Sequence, residues 1–352
     1  MKRLKILLVS EYFRPKATGG EVWSWGLCRE LARRGHEVTV LTLKHDKALK
    51  SAETREGVRI LRLSPTTRNT GSRLERWLAI RKFLRLAKRE IDTQNPDVIH
   101  TVAFGLNVPV SRLAKRNGIP CITTLHSFFG KDWTRLLPAP WILRFAERRN
   151  VKDDASSVMT VPSSYLRRRV LKETGRGTVV VPNWCPDTFP KAKRFKVPTL
   201  VFVGSLEPVK NPLACVAAAK KLAMPLVVVG SGSLERRLLQ EARRAGIALT
   251  ILPRASRDET LSLIGGAAMV LVPSVTESFS LVALEAVAQG TPVAGTRVGI
   301  MPELPDVVRW PPKAVPKRLT STQIAAVRNR FSKRKAVDGI ERAYRGAIPQ
   351  NV

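Results

Sequence analysis

Apolar residues along this chain fall into short, nearly continuous runs rather than strict alternation. KILLVS (5–10), EVTVLTL (37–43), VRILRL (58–63), DVIHTV (97–102), PCITTLH (120–126) and SVMTVPS (157–163) are all rich in branched side chains. Runs of this kind predict parallel strands buried on both faces. Between several of them apolar positions recur at helical spacing, as in VWSWGLCRELARRG, which stops at Gly35 as helices often do. Strands alternating with helices predict a doubly wound α/β fold.

The pattern breaks at 182–198, PNWCPDTFPKAKRFKVP, which has four prolines, four Lys+Arg after Phe189 and little periodicity. A second series of strands then begins: TLVFVG (199–204), PLVVVG (225–230), ALTILP (248–253), AMVLVPS (268–274) and TPVAGT (291–296). Two α/β domains in tandem are therefore expected: 1–188, a linker at 189–198, and 199–318. After the bend WPPKAVP (310–316), a helical pattern runs from about Thr320 to Arg345 within a C-terminal segment, 319–352. Glycine and proline cluster at the C-terminal ends of the strands, where open α/β sheets bind ligands.

Composition changes this picture in one respect. The 352 residues are ordinary in apolar (44%) and charged (25%) content, but 61 Lys+Arg against 28 Asp+Glu give +33. Such a field attracts polyanions: phosphorylated substrates, an anionic membrane or nucleic acid. Cys28, Cys121, Cys185 and Cys215 are scattered without a C-x-x-C pair, and there are four histidines and no H-E-x-x-H. A reduced, cytoplasmic compartment and no metal site are expected. MKRLKILLVSEYFRP is interrupted after about six apolar positions, so it reads as a strand rather than a signal peptide. No apolar run approaches ~18 residues, the length a bilayer-crossing helix needs.

The chemistry concentrates in TESFSLVALEAVAQGTPV (276–293). Glu277 precedes an apolar helix and Glu285 lies inside it, about 800° of helical rotation apart, so the two do not share a face. Ser278 or Ser280 is placed to cap that helix, whose first amides are free donors and a ready anion site. GSGS at 230–233 lacks the third glycine of a dinucleotide fingerprint, and there is neither a P-loop nor a D-x-D.

PSVTESFSLVALEAVAQGTPVAGTRVG closely resembles the E-x7-E segment of the family 4 retaining glycosyltransferases. KILLVSEYFRPKATGGE is similar to that family's first strand and glycine-rich loop, VPNWCPDTFP to its interdomain segment, VFVGSLEPVKNP to its phosphate-binding loop and VVVGSGSLERRLLQ to its G-x-G segment. Five motifs in family order imply a GT-B fold: two Rossmann-like domains facing across a cleft, with a C-terminal helix crossing back. The resemblance implies that Glu277 contacts the transferred sugar, with His126 facing it. It places Glu285 on the nucleotide ribose, and the amides around Phe279, Ser280 and Leu281 on the donor diphosphate. Lys210 matches the phosphate-binding lysine, and the resemblance places Gly204 and Ser205 of the same loop on the donor as well. Gly19 and Gly20 match the loop near the donor phosphate and acceptor. Ser205 departs from the family, which usually has Arg there, so one diphosphate cation is missing. A nucleotide-sugar donor is implied as substrate, with no cofactor and no chelated metal.

The surplus charge has its densest segment at 68–92. On a helical wheel Trp77, Ile80, Phe83, Leu84, Ala87 and Ile91 form an apolar arc, and Arg81, Lys82, Arg85, Lys88 and Arg89, with Arg73 nearby, take the other side. That pattern fits a helix lying on an anionic membrane and equally an amphipathic surface helix of the fold. Many members of the resembling family act on lipid-linked acceptors, which favours the first reading and a site on the inner face of the cell membrane; a glycan acceptor is the alternative. SFFGKDWTRLLPAPWILRF (127–145) is a second candidate contact. Nucleic acid ranks lower, because no RNA- or DNA-binding signature is present and tyrosine is scarce. A GT-B protein with altered chemistry, a sugar-phosphate synthase or a binder, is the rival that Ser205 keeps open.

Overall fold

The computed structural model describes residues 3–349 except 16–18, 45, 47, 64–72, 103–104 and 136–139, and at 73–77 and 135 it describes the backbone alone. The first domain contains β1 (Lys5–Ser10), α1 (Gly19–Arg33), β2 (Glu37–Leu43), β3 (Ala52–Arg55), β4 (Val58–Leu63), α2 (Arg73–Gln94), β5 (Val98–Thr101), α3 (Asn107–Arg116), β6 (Cys121–Thr124), α4 (Pro140–Asp153), β7 (Val158–Val161), α5 (Ser164–Thr174) and β8 (Val179–Val180). Its sheet runs β3-β4-β2-β1-β5-β6-β7-β8 and is parallel except for β3.

The near-continuous apolar runs are explained by two covered faces. Ile6, Leu8, Val38 and Val40 pack into one core with α1, while Leu7, Val9, Leu41 and Ile99 pack into another with Phe83, Ala87 and Ile91 of α2. The strand β3, AETR, was not expected: it is polar and exposed, and it pairs only along the edge.

The second domain contains β9 (Leu200–Val203), α6 (Leu213–Leu222), β10 (Leu226–Val229), α7 (Glu235–Ala245), β11 (Leu249–Leu252), α8 (Arg257–Gly266), β12 (Met269–Val272), α9 (Leu281–Ala288), β13 (Val293–Gly295) and β14 (Val308–Arg309), with sheet order β11-β10-β9-β12-β13-β14. In each sheet the order reverses beside the first strand of its domain, at β1/β5 and at β9/β12. Such switch points open a crevice at the strand C-termini.

The single C-terminal helical pattern resolves into two helices, α10 (Ser321–Arg330) and α11 (Lys333–Ala347). The break has a local cause. Phe331 is buried in the second domain's core, edge-on to Phe279, and the Ser332 side chain then caps α11 by accepting the Lys335 N–H. α10 stays with the second domain through Val327. α11 returns to the first, where Val337, Ile340 and Tyr344 enter its core and Glu341 accepts from His36 at 2.8 Å. No described helix is long and apolar enough to cross a membrane.

Candidate functional site

A cavity of about 400 Å³ lies between the domains at the strand C-termini. Gly19 and Gly20, the segment His126–Phe129 and Asn183 line it from one side. Lys210, Ser274 and the segment 276–282 line it from the other. Gly19 and Gly20 are the first residues of α1 rather than part of a loop. A Cβ on either would meet nothing within 4 Å, so they face open space.

Glu277 follows β12 in a short loop and is held there by two donors. Lys210 Nζ lies 2.6 Å from its Oε1, and the Ser274 hydroxyl donates to the same oxygen at 2.8 Å. The lysine is brought there by backbone. The Val275 N–H donates to the Val209 carbonyl at 2.9 Å, and Asn211, in the left-handed conformation (φ 51°), turns the chain after Lys210. Lys210 is the one Lys or Arg, and Glu277 the one carboxylate, among the described residues lining the cavity.

Neither expected serine caps α9. Ser280 occupies the N-cap position with φ 79° and makes no side-chain cap, and the α9 N-terminus borders the cavity at Leu281 and Val282. The uncapped first amides are available to an anion. Phe279 lines the cavity while most of its side chain is buried in the core. Gly299 (φ +59°) permits this approach: a Cβ there would lie 2.5 Å from the Phe279 carbonyl oxygen, which the Ile300 N–H instead reaches at 2.7 Å.

His126 reaches the cavity with its ring edge-on to Trp23 at 4.6 Å, and its Nε2 has no partner among the described residues. Burial lowers its pKa to about 4, so the imidazole is neutral. His100 is different. It is fully buried, bonded to the Tyr344 hydroxyl (2.8 Å) and to Thr124 (2.7 Å), and burial, reinforced by His126, lowers its pKa to about 3. It fastens α11 to the sheet and does not line the cavity. His36 is structural too, since its Nδ1 accepts the Leu4 N–H at 3.1 Å. His45 lies outside the described residues.

Three expected donor residues stand apart from the cavity lining. Glu285 is 1% exposed and bound by Arg257 at the start of α8. Its Oε2 has no partner among the described residues, and burial raises its pKa against the pull of Arg257. Ser205 is exposed, and Gly204 and Ser205 form the turn beneath Lys210. Gly230 packs on that turn so closely that a Cβ would lie 2.0 Å from the Gly204 carbonyl oxygen. This close packing gives the G-x-G segment a physical reason.

Two family models divide the chain between them: Glycosyltransferase Family 4 matches residues 17–188, and Glycosyl transferases group 1 matches 186–305. The D-inositol 3-phosphate glycosyltransferase of Mycolicibacterium smegmatis is 30% identical over 330 residues, which is 81% of this chain and 72% of that protein. The chain belongs to the group 1, family 4 glycosyltransferases. Solved structures share its GT-B fold. Sucrose-phosphate synthase from Thermosynechococcus elongatus matches with a TM-score of 0.72 and 21% identity over 98% of this chain and 95% of that one. Anabaena HepE in complex with UDP and glucose matches with a TM-score of 0.66 and 14% identity over 98% and 96%. As a group 1 glycosyltransferase, the enzyme moves a sugar from a nucleotide sugar.

In the glycosyltransferase the apolar arc of the expected membrane helix is covered in part by the protein itself. Phe83, Ala87 and Ile91 of α2 are buried in the protein's own core, with Ile80 and Leu84 partly so. Withdrawing Phe83 and Ile91 would cost roughly 3–6 kcal/mol, so these residues are not offered to lipid, whereas Leu78 of the same helix is exposed. Arg81, Lys82, Arg85, Lys88 and Arg89 remain exposed, with Lys88 paired to Asp92 at 2.6 Å. The side chains of Arg73 and Trp77 lie outside the described residues. Exposed apolar surface occurs instead at the start of α4, where Trp141 is 70%, Ile142 52% and Phe145 65% exposed. Sequence reasoning also missed Ser274, Trp23 and Arg169. Ser274 sits only three residues from its partner Glu277 but belongs to no pattern that marks it, and the deciding partners of Trp23 and Arg169 lie far along the chain.

Proposed function

We propose that this glycosyltransferase moves a hexose, with retention, from a nucleoside-diphosphate sugar bound in the cavity. Lys210 and the first amides of α9, around Phe279, Ser280 and Leu281, would hold the diphosphate. A cation there offsets the charge that grows on the leaving phosphate. Glu277 would orient the sugar, and the unpartnered Nε2 of neutral His126 would bond one of its hydroxyls. Gly19 and Gly20 leave room for phosphate and acceptor. Glu285 would reach the ribose through its free Oε2. The supporting observation is the joint placement of Glu277, Lys210 and the uncapped α9 N-terminus on one wall. Retention is favoured because the described lining carries one carboxylate, already paired with Lys210. The leaving phosphate is then the base for the acceptor on the same face.

Replacing Glu277 by Gln keeps shape and removes charge. The expected result is a fall in kcat of about 10²- to 10³-fold with an unchanged melting temperature. Turnover near wild type would remove Glu277 from the mechanism. No chelated metal is invoked, so EDTA is expected to leave turnover unchanged.

The acceptor we infer is lipid-linked, approached across the exposed turn of α4. Trp141 and Phe145 suit insertion at a bilayer interface, and Arg144, Arg148 and Arg149 share their helix. Each such cation near an anionic bilayer contributes ~1 kcal/mol. Flotation with phosphatidylglycerol liposomes should be lost on Trp141→Ser/Phe145→Ser and kept when Lys82 and Arg85 become Gln. The reverse result would move the membrane contact to α2, and a wild type that does not float would return the acceptor to a soluble glycan. Ser205 favours a second reading, a GT-B binder without turnover, because Lys210 stands without a second cation in the described lining.

A further inference from the structure

Helix α5 belongs to the first domain, yet it grips the Glu277 segment of the second on both sides of that residue. Arg169, 8% exposed, donates through Nη1 to the Thr276 hydroxyl at 3.1 Å. Ser163, at the α5 N-cap, donates to the Ser278 carbonyl at 2.6 Å while accepting the Leu166 N–H. The Ser164 N–H adds a bond to Glu303 at 3.0 Å. The residues immediately before and after Glu277 are thus fixed from across the cleft.

The same guanidinium also reaches back into its own domain. It bonds the Asp132 carboxylate and the Phe129 carbonyl, with the Tyr165 hydroxyl at 3.2 Å and Glu173 at 3.6 Å. Phe129 and its neighbours Ser127 and Phe128 line the cavity. Glu147 completes the polar support of this loop, accepting the N–H groups of Phe129 (2.9 Å) and Gly130 (2.6 Å) and the Trp133 indole (3.2 Å). A guanidinium is a rigid planar fork. Its arms therefore tie the positions of their acceptors together, and here those acceptors belong to the two opposite walls of the cavity.

We propose that Arg169 is a positioning residue that couples the loop 127–135 to Glu277, so that the carboxylate is aligned only when the two domains are closed on each other. Binding of an acceptor against Ser127–Phe129 then steadies Glu277 through Thr276. Donor binding, which rests on Lys210 and α9, does not pass through this link. The kinetic part of the proposal rests on the function proposed above; the structural part does not.

Arg169→Lys keeps a cation beside buried Asp132 but loses the fork. Thr276→Val removes only the arm that crosses the cleft. In both, kcat for UDP-glucose is expected to fall about 10- to 100-fold, as misplacement of a reacting group by an ångström can do. The KM and the affinity for UDP should stay within about twofold, because uniform donor binding is untouched. The double variant should be no worse than Arg169→Lys alone, as expected of residues on one link. Hydrogen exchange supplies a readout that needs no substrate. Arg169→Lys should speed exchange in 127–133 and, across the cleft, in 274–281, with an unchanged melting temperature. Unaltered exchange at 274–281, a loss carried by KM, or additive single effects would each overturn the coupling. Coupled exchange in a protein that turns over no nucleotide sugar would sustain the coupling and overturn the proposed function instead.

Discussion

Glu277 and Glu285 lie eight residues apart in one segment, and the fold treats them oppositely. Glu277 lies within the loop between β12 and α9 at the cavity wall, where Lys210 and Ser274 hold the same oxygen. Glu285 lies more than a turn inside α9, 1% exposed, with one oxygen on Arg257 and the other without a partner among the described residues. The first is fixed by short loop contacts and meets the space a ligand would occupy. The second is buried at a cost that its single partner does not remove, since its carboxyl is still pushed up. Residue type and spacing do not separate these two cases; the elements around them do.

The most severe way to break this contrast is through Lys210. Lys210→Met leaves Glu277 without its cation and, on the proposed function, would leave the diphosphate without its counter-charge, so kcat/KM for a nucleotide sugar should fall about 10²- to 10³-fold. A change below about threefold in steady-state assays would show that the 2.6 Å pair is structural. Glu285→Gln should act more gently. Loss of one hydrogen bond from a charged acceptor, ~1.5–3 kcal/mol, should appear as weaker UDP binding by calorimetry with kcat nearly intact. A kcat loss like that expected for Glu277→Gln would erase the distinction.

Glu285 also carries a stability signature. Its folded pKa lies above the unfolded value, so the native state holds the proton more tightly and acidification relieves the cost of burying the charge. The melting temperature of Glu285→Gln relative to wild type should therefore be highest near pH 7–8 and should decline as pH falls through the carboxylate range. The smallest effect concerns the buried imidazoles. With folded pKa values of about 4 for His126 and about 3 for His100, against 6.5 when unfolded, the native state binds fewer protons. Their stabilisation is present above pH 6.5 and is lost as pH falls toward those values. His126→Gln should flatten part of that acid-side decline in a pH series of thermal melts.

Much of the fold was legible because buried parallel strands need unbroken apolar runs, and those runs stand out in KILLVS or PLVVVG. What escaped were strands with nothing apolar to bury, such as AETR, and the α10/α11 break, where Phe331 enters a core that only the folded chain creates. The site was legible where family order fixed it, at Glu277 and Lys210. Their mutual contact was not, since it spans 67 residues. The α2 wheel did not decide between lipid and core, because an amphipathic arc is the same whether lipid or the protein's own sheet covers it. Arg169 was hidden among 61 cations, and only its acceptors distinguish it.

The central claim is that a nucleotide sugar is bound and broken in the cavity beside Glu277. Its most direct test is to incubate the wild type and Glu277→Gln with UDP-glucose, GDP-mannose and ADP-glucose, recording thermal stabilisation and release of free nucleoside diphosphate. At least one donor should stabilise both proteins, and only the wild type should break it at a measurable rate. A wild type that none of the three donors stabilises or loses sugar to, or a Glu277→Gln variant that breaks the donor as fast as wild type, would contradict it.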